Sequence, residues 1–143
     1  METHMVRLAK VKDAEQLKIL NTEFNGPNDR TVPQIKESLI SNCQEIVIVD
    51  DTDGCLTGFI CVQLKKSFCY NEYIPEITEV YVRQDYRRRG IAQQMISFAE
   101  QYCISHYPLD GFELLTGTDN HSAQSVYNKL GYHRDGEIHM SKS

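Results

Sequence analysis

The stretch Ile77-Thr-Glu-Val-Tyr-Val82-Arg-Gln-Asp-Tyr-Arg87-Arg-Arg-Gly90-Ile-Ala92-Gln-Gln-Met-Ile96 joins a β-rich run to a helical pattern through an arginine-rich turn. Ile77 to Val82 is rich in β-branched and aromatic residues, and the apolar spacing after Gly90 predicts a helix. A strand–turn–helix of this kind sets backbone N–H groups and the positive end of a helix dipole beside Arg87, Arg88 and Arg89. That is an anion site, and its natural anion is a pyrophosphate. Gly90 carries no Cβ to obstruct a phosphate, and Ala92 is small enough for the same approach. The turn is neither a Gly-x-x-x-x-Gly-Lys-Ser/Thr loop nor a Gly-x-Gly-x-x-Gly loop.

A second pattern follows downstream: Asn120, Ala123, Tyr127 and Leu130-Gly131-Tyr132. With Arg87-x-x-Gly90-x-Ala92 after Tyr81-Val82, it makes the chain resemble the GNAT superfamily of N-acetyltransferases. That signature is Arg/Gln-x-x-Gly-x-Gly/Ala after a strand, then Asn-x-x-Ala-x-x-x-Tyr-x-x-Leu-Gly-Phe/Tyr. The resemblance spans Cys55 to Tyr132. Gln84 stands where a Pro is frequent, Ala92 where Gly is commoner, and Thr78 where a glutamate is frequent. The resemblance implies acetyl-CoA as co-substrate and splayed central strands with the pantetheine arm between them. It implies that Arg87, Arg88, Arg89, Gly90, Ile91 and Ala92 hold the pyrophosphate. It also implies that Val80, Tyr81 and Val82 pair with the pantetheine through their main chain, as an added strand would. Asn120 would lie beside that arm, and Tyr127 near the sulfur as general acid. A phenol suits that role, because it stays protonated at neutral pH and can donate.

The general base is open between Glu76, Glu79 and a water chain with no dedicated carboxylate. Glu76 and Glu79 are three apart, so a regular strand points them to opposite faces. Thr78 then shares a side with Glu76, and alternation nominates Glu76; a bulge would reverse this.

The bulk numbers fit this reading. A chain of 143 residues, 41% hydrophobic and 24% charged, suits one globular domain over residues 1–143. Residues 1–82 carry 13 acids and 8 bases, and residues 83–143 carry 7 of each, so the net charge of −5 belongs to the first part. An acidic balance argues against nucleic acid as the main partner. The five cysteines show no Cys-x-x-Cys spacing, and the histidines do not cluster with them. We therefore expect buried reduced thiols in a cytoplasmic protein, with no metal site. No apolar run approaches the ~20 residues of a membrane helix. A monomer or homodimer is expected.

Along the chain, the patterns predict a strand from Met5 to Ala9, a helix capped by Asp13, and a helix opened by Thr31 and Pro33. A hairpin of Glu45–Asp50 and Leu56–Lys65 turns at Asp51–Gly54. The strand to Val82 and the helix from Gly90 to Cys103 come next. Then come a strand at Phe112–Thr116, a helix at Ser122–Leu130, and one or two closing strands within Tyr132–Ser141. This order implies an α/β (α+β) fold: a mixed, mostly antiparallel sheet of six to seven strands with about four flanking helices, as in the acetyltransferase fold.

Cys43 to Val82 holds seven acids and two lysines, and the Lys65–Pro75 connection carries Phe68, Tyr70 and Tyr73. Acids beside aromatics suit ammonium groups, so the expected acceptor is a small-molecule amine that is cationic, such as an aminoglycoside or polyamine. The layout is also similar to small aminoglycoside N-acetyltransferases. A protein or peptide N-acetyltransferase and a non-catalytic acyl-CoA-binding module are the alternatives.

Overall fold

The computed structural model describes residues 2–143. Its strands are β1 (His4–Leu8), β2 (Glu45–Thr52), β3 (Cys55–Lys65), β4 (Ile74–Val82) and β5 (Glu113–Leu114). Its helices are α1 (Ala14–Asn25), α2 (Val32–Ser41), α3 (Ile91–His106) and α4 (His121–Lys129). The strands lie side by side in chain order, antiparallel from β1 to β4, with β5 parallel to β4. A parallel pair needs a crossover, and α3 supplies it.

Alternation, interrupted by one extra residue in β3 and one in β4, gives the sheet two apolar faces. Ile46 and Ile48 of β2, Ile60 and Val62 of β3, and Ile77 and Val82 of β4 pack against Ile91, Met95, Ile96, Ala99 and Cys103 of α3. On the other face Val49, Leu56 and Phe59 pack against Leu17 and Leu20 of α1, with Ile35 and Leu39 of α2 beside them. Thr31 caps α2 as its sequence suggests: its hydroxyl accepts from Gln34 N at 3.2 Å, and Gln34 Oε1 accepts from Thr31 N at 2.9 Å.

Two expectations are corrected here. Asp13 makes no side-chain cap on α1; it accepts from Lys10 N at 2.7 Å and from both terminal nitrogens of Arg7, at 2.7 and 2.9 Å. A guanidinium fork offers a buried carboxylate more than one helix N–H can. The sheet has five strands, not six to seven, because residues 132–143 form no strand. Glu137 N donates to Asp135 Oδ1 at 3.0 Å, so a turn forms at Asp135-Gly136 as expected. Its flanks supply only Ile138 and Met140 as large apolar residues, 83% and 82% exposed, too little apolar surface to hold a hairpin on the sheet.

Candidate active site

β4 organises the site. It pairs with β3 along its whole length but with β5 only through Glu76–Glu113 and Ile77–Leu114. From Thr78 to Val82 its other edge has no strand partner among the described residues. The pairing therefore ends with the two residues of β5, which periodicity alone does not show. An exposed edge carries unsatisfied main-chain donors and acceptors and is a template for an extended ligand. Val80 and Val82 turn their side chains into the α3 core, leaving only main chain to that edge. Tyr81 faces the other way, and its hydroxyl donates to Glu23 Oε1 at 2.8 Å.

At the end of β4 a short 3-10 turn, Gln84–Tyr86, leads into the arginines. Arg88 is left-handed with φ 64°, and Gly90 with φ 79° and ψ 13° is the N-cap of α3. Left-handed residues next to a helical start converge successive N–H groups on one point. No side chain caps α3 and no acid stands in its first turn, so its N-terminal N–H groups and dipole are left for an anion. A Cβ on Gly90 would meet nothing within 4 Å, so glycine stands there for its φ, not for room against the protein. Ile91 is 3% exposed and can offer only its N–H.

The three arginines are not equivalent. Arg87 folds back, its Nε donating to Val82 O at 2.9 Å. Arg89 reaches Glu2 Oε2 at 2.8 Å and Asp85 O at 3.1 Å, over the Tyr86 ring. Arg88 has no hydrogen bond or ion pair among the described residues.

Asn120 is the N-cap of α4, its Oδ1 accepting from Ala123 N at 3.3 Å, so its amide NH2 remains to donate. Tyr127 packs half-buried against the α3-side core, and burial raises its phenol. Its hydroxyl has no hydrogen-bond partner among the described residues.

The alternation argument for the base fails for a defined reason. Cys61 pairs with Glu79 and Val62 pairs with Ile77, so Thr78 is one extra residue in β4. This bulge puts Glu76 and Glu79 on the same face, the one covered by α1 and α2. The cross-strand partners agree: Glu76 opposes Gln63, and Gln63 opposes Glu45 of β2. Glu76 lies 3.6 Å from Lys65 Nζ, which also bonds Glu113. Glu79 has no such cation. Glu45, which sequence reading passed over, has its carboxyl raised by burial and by the charge of Glu79, against the Gln63 amide that donates to it at 3.2 Å. The Cys61 thiol is pushed well up by burial and by the charges of Glu45 and Glu79. The signal that could have found Glu45 is the hairpin register, but a second extra residue, Thr57 in β3, shifts that count by one.

The aromatics expected beside the acids are elsewhere. Phe68 and Tyr70 are 100% and 58% exposed, and Tyr73 packs on Tyr107. The aromatic group on the Glu79 face is Phe59, Tyr81 and Phe24, with Phe24 stacked on Tyr81 at 5.2 Å. The thiols are less buried than expected: Cys103 is buried, whereas Cys43, Cys55 and Cys69 are exposed. No helix among the described residues is long and apolar enough to cross a membrane.

Comparison with known proteins gives the fold a family. The model of the acetyltransferase (GNAT) family matches residues 14–132. No curated protein matches. Among solved structures, an aminoglycoside acetyltransferase, meta-AAC0020 from an uncultured soil metagenomic sample, superposes with a TM-score of 0.86 at 12% identity, over 98% of this chain and 95% of its own. Aminoglycoside N-acetyltransferase AAC(6')-Iy in complex with CoA gives 0.84 at 15% identity, over 100% and 96%. A ribosomal-protein-alanine N-acetyltransferase from Brucella melitensis biovar Abortus 2308 gives 0.80 at 16% identity, over 99% and 100%. At such identities the likeness concerns the fold, and the family match carries the rest: the chain belongs to the GNAT acetyltransferases, whose co-substrate is acetyl-CoA.

Proposed function

We propose that this protein transfers an acetyl group from acetyl-CoA to a primary amine on a small cationic molecule. The observation that carries this reading is the Thr78 bulge, which sets Glu79 on the same face of the sheet as Glu45, next to the edge that β5 leaves unpaired. Two carboxylates without a cation favour a positively charged guest. The aminoglycoside acetyltransferases among the structural neighbours bear on the same class, though through fold alone.

The residues present fit acetyl-CoA. The uncapped start of α3 with left-handed Gly90 suits the pyrophosphate, with Arg87, Arg88 and Arg89 adding charge and Ile91 and Ala92 contributing N–H groups. Val80, Tyr81 and Val82 offer main chain to the pantetheine arm, and the Asn120 amide can donate beside it. When bound, acetyl-CoA supplies an acetyl group activated as a thioester.

The rest falls to the chain's own side chains. An amine must lose a proton to become a nucleophile, and Glu79 is the base we assign. It lies where β4 no longer pairs with β5, while Glu76 lies where the two still pair and is held by Lys65. Glu45 beside Glu79 offers a second carboxyl to an ammonium, so this face suits a cation better than a neutral ligand. Tyr127 holds its proton at Oη, kept there by burial, for return to the departing sulfur.

Mass spectrometry of reactions containing acetyl-CoA with a polyamine, an aminoglycoside and a peptide panel tests the reading. Acetylation of the first two over the peptides is expected. Faster acetylation of peptides would move the assignment to a protein N-acetyltransferase. CoA binding with no transfer to any amine would leave a binding module.

A further inference from the structure

We propose that Asp50 is a positioning residue for the phosphate turn, acting through the Thr57 bulge of β3 and tied from outside by His4 and Glu2. The inference rests on the reading of Arg87 to Ala92 as the cofactor turn.

Between β2 and β3 the register shifts: Asp51 pairs with Leu56 but Asp50 pairs with Gly58, so Thr57 is extra. A bulged residue loses its ladder partner and needs others. Thr57 has two. Its hydroxyl donates to Asp50 Oδ2, and its carbonyl accepts from Arg83 N at 2.8 Å. Arg83 is the N-cap of the 3-10 turn that follows β4. Asp50 thereby fixes the peptide from which the phosphate turn departs. The strands are also very close here: a Cβ on Gly58 would stand 2.7 Å from Tyr81 O, so any shift of Thr57 is passed to the end of β4.

The outer ties lead to the same turn. Thr52 Oγ1 donates to Asp50 Oδ2 at 2.9 Å, and His4 Nδ1 lies 2.7 Å from that hydroxyl and 3.2 Å from the carboxylate. The His4 ring stands edge-on to Tyr86 of the turn, 6.5 Å between centroids. His4 Nε2 is 3.7 Å from Glu2, which in turn holds Arg89. Tyr86 N donates back to Arg83 O at 2.9 Å, closing the circuit.

This is a poor arrangement for stability alone. Asp50 is 0% exposed, and its Oδ1 has no hydrogen-bond partner, while Oδ2 takes every contact. An unpartnered buried carboxylate oxygen is costly, and apolar packing would serve a core better. Every contact that Oδ2 makes leads to the turn through Thr57 or His4.

The test measures CoA affinity by calorimetry, and steady-state constants with an accepted amine, in Thr57→Val, Thr57→Ser, Asp50→Asn and His4→Ala. Asp13→Asn serves as a control: it removes the Asp13 partner of Arg7, which lies on the face of β1 opposite His4 and keeps Asp51. Thr57→Val, Asp50→Asn and His4→Ala should raise the CoA Kd and the acetyl-CoA KM by roughly 3- to 10-fold, the scale of one lost hydrogen bond, with kcat and the amine KM unchanged. Thr57→Ser should restore wild-type values, and Asp13→Asn should lose stability without changing CoA affinity. If Asp50→Asn fails to fold, the Thr57 pair decides. Unchanged CoA affinity in folded Thr57→Val, or an equal loss in Asp13→Asn, would overturn the inference. Wild-type protein that binds no CoA would instead sink the reading of the turn itself.

Discussion

At the Val82 end of β4, the arginine turn owes its local form to residues adjacent in sequence: left-handed Arg88 and Gly90, and an Arg87 side chain bonded to Val82 O. The carboxylate face farther back along the strand is assembled from separate strands, with Glu45 from β2 meeting Glu79 of β4 across Cys61 and Gln63 of β3. The first region takes its shape from its own dihedrals and a helix start, while Thr57 and Asp50 hold the point at which it leaves β4. The second depends on strand register, and a single extra residue at Thr78 decides which carboxylates share it. On the proposed function, a cofactor common to a family is held by a local device, whereas the acceptor meets a surface that small changes of register can rebuild.

That contrast can be broken most sharply at Tyr127, the general acid we propose, which belongs to neither region. Tyr127→Phe should lower kcat by ~10²–10⁴-fold, the usual range for a lost general acid, with CoA affinity unchanged. Wild-type turnover in this variant would return Tyr127 to packing.

Gly90→Val tests the local region. A β-branched residue at φ 79° is strained by about 1–3 kcal/mol, so the turn should relax out of its left-handed conformation and CoA affinity should fall by roughly ten- to a hundredfold. Equal CoA affinity in the folded variant would show that the turn does not need its left-handed cap.

The Arg7–Asp13 pair and Glu45 give a contrast in stability. Burial alone would raise the Asp13 carboxyl, but the Arg7 hydrogen bonds, the Lys10 N–H and the Arg7 charge outweigh it and hold it below the usual range. Its contribution is present above the ordinary Asp pKa and is lost as pH falls through the depressed value. Asp13→Asn should therefore cost about 2 kcal/mol at pH 7, since Arg7 keeps Asp51 at 3.1 Å, and the gap from wild type should close in acid. Glu45 has the opposite sign: its raised carboxyl favours the fold below the ordinary Glu range, and that advantage fades as pH rises through the raised value. Glu45→Gln should leave stability at pH 7 unchanged or slightly higher. Urea midpoints at pH 7 and in acid measure both, and a large loss in Glu45→Gln at pH 7 would contradict the picture of two crowded carboxylates.

The smallest effect concerns steering. The amine KM should rise with ionic strength, since the Debye length falls from ~10 Å at 0.1 M to ~3 Å at 1 M. A salt-independent KM would argue for a neutral acceptor.

The same contrast explains what could be read in advance. The strand, the arginine turn and α3 are legible because a β-branched run to Val82 and helical spacing from Gly90 flank the arginines, and the Asn120–Tyr132 pattern sits on α4 and the residues just after it, as expected. The faces of Glu76 and Glu79 were not legible, because Thr78 resembles any other strand residue and a bulge is seen only against its partner strand. Glu45 was hidden by the same kind of shift at Thr57. The closing strands were overestimated because Asp135-Gly136 is a sound turn signal whose flanks lack the apolar residues to dock.

Initial rates of acetyl transfer to one accepted amine, compared between Glu79→Gln and Glu76→Gln, test the central claim most directly. Glu79→Gln should lose ~10²-fold or more in kcat/KM for the amine, while Glu76→Gln, which removes only a partner of Lys65, stays within about threefold of wild type, both with CoA affinity intact. Loss of activity in Glu76→Gln with Glu79→Gln unaffected would contradict the account.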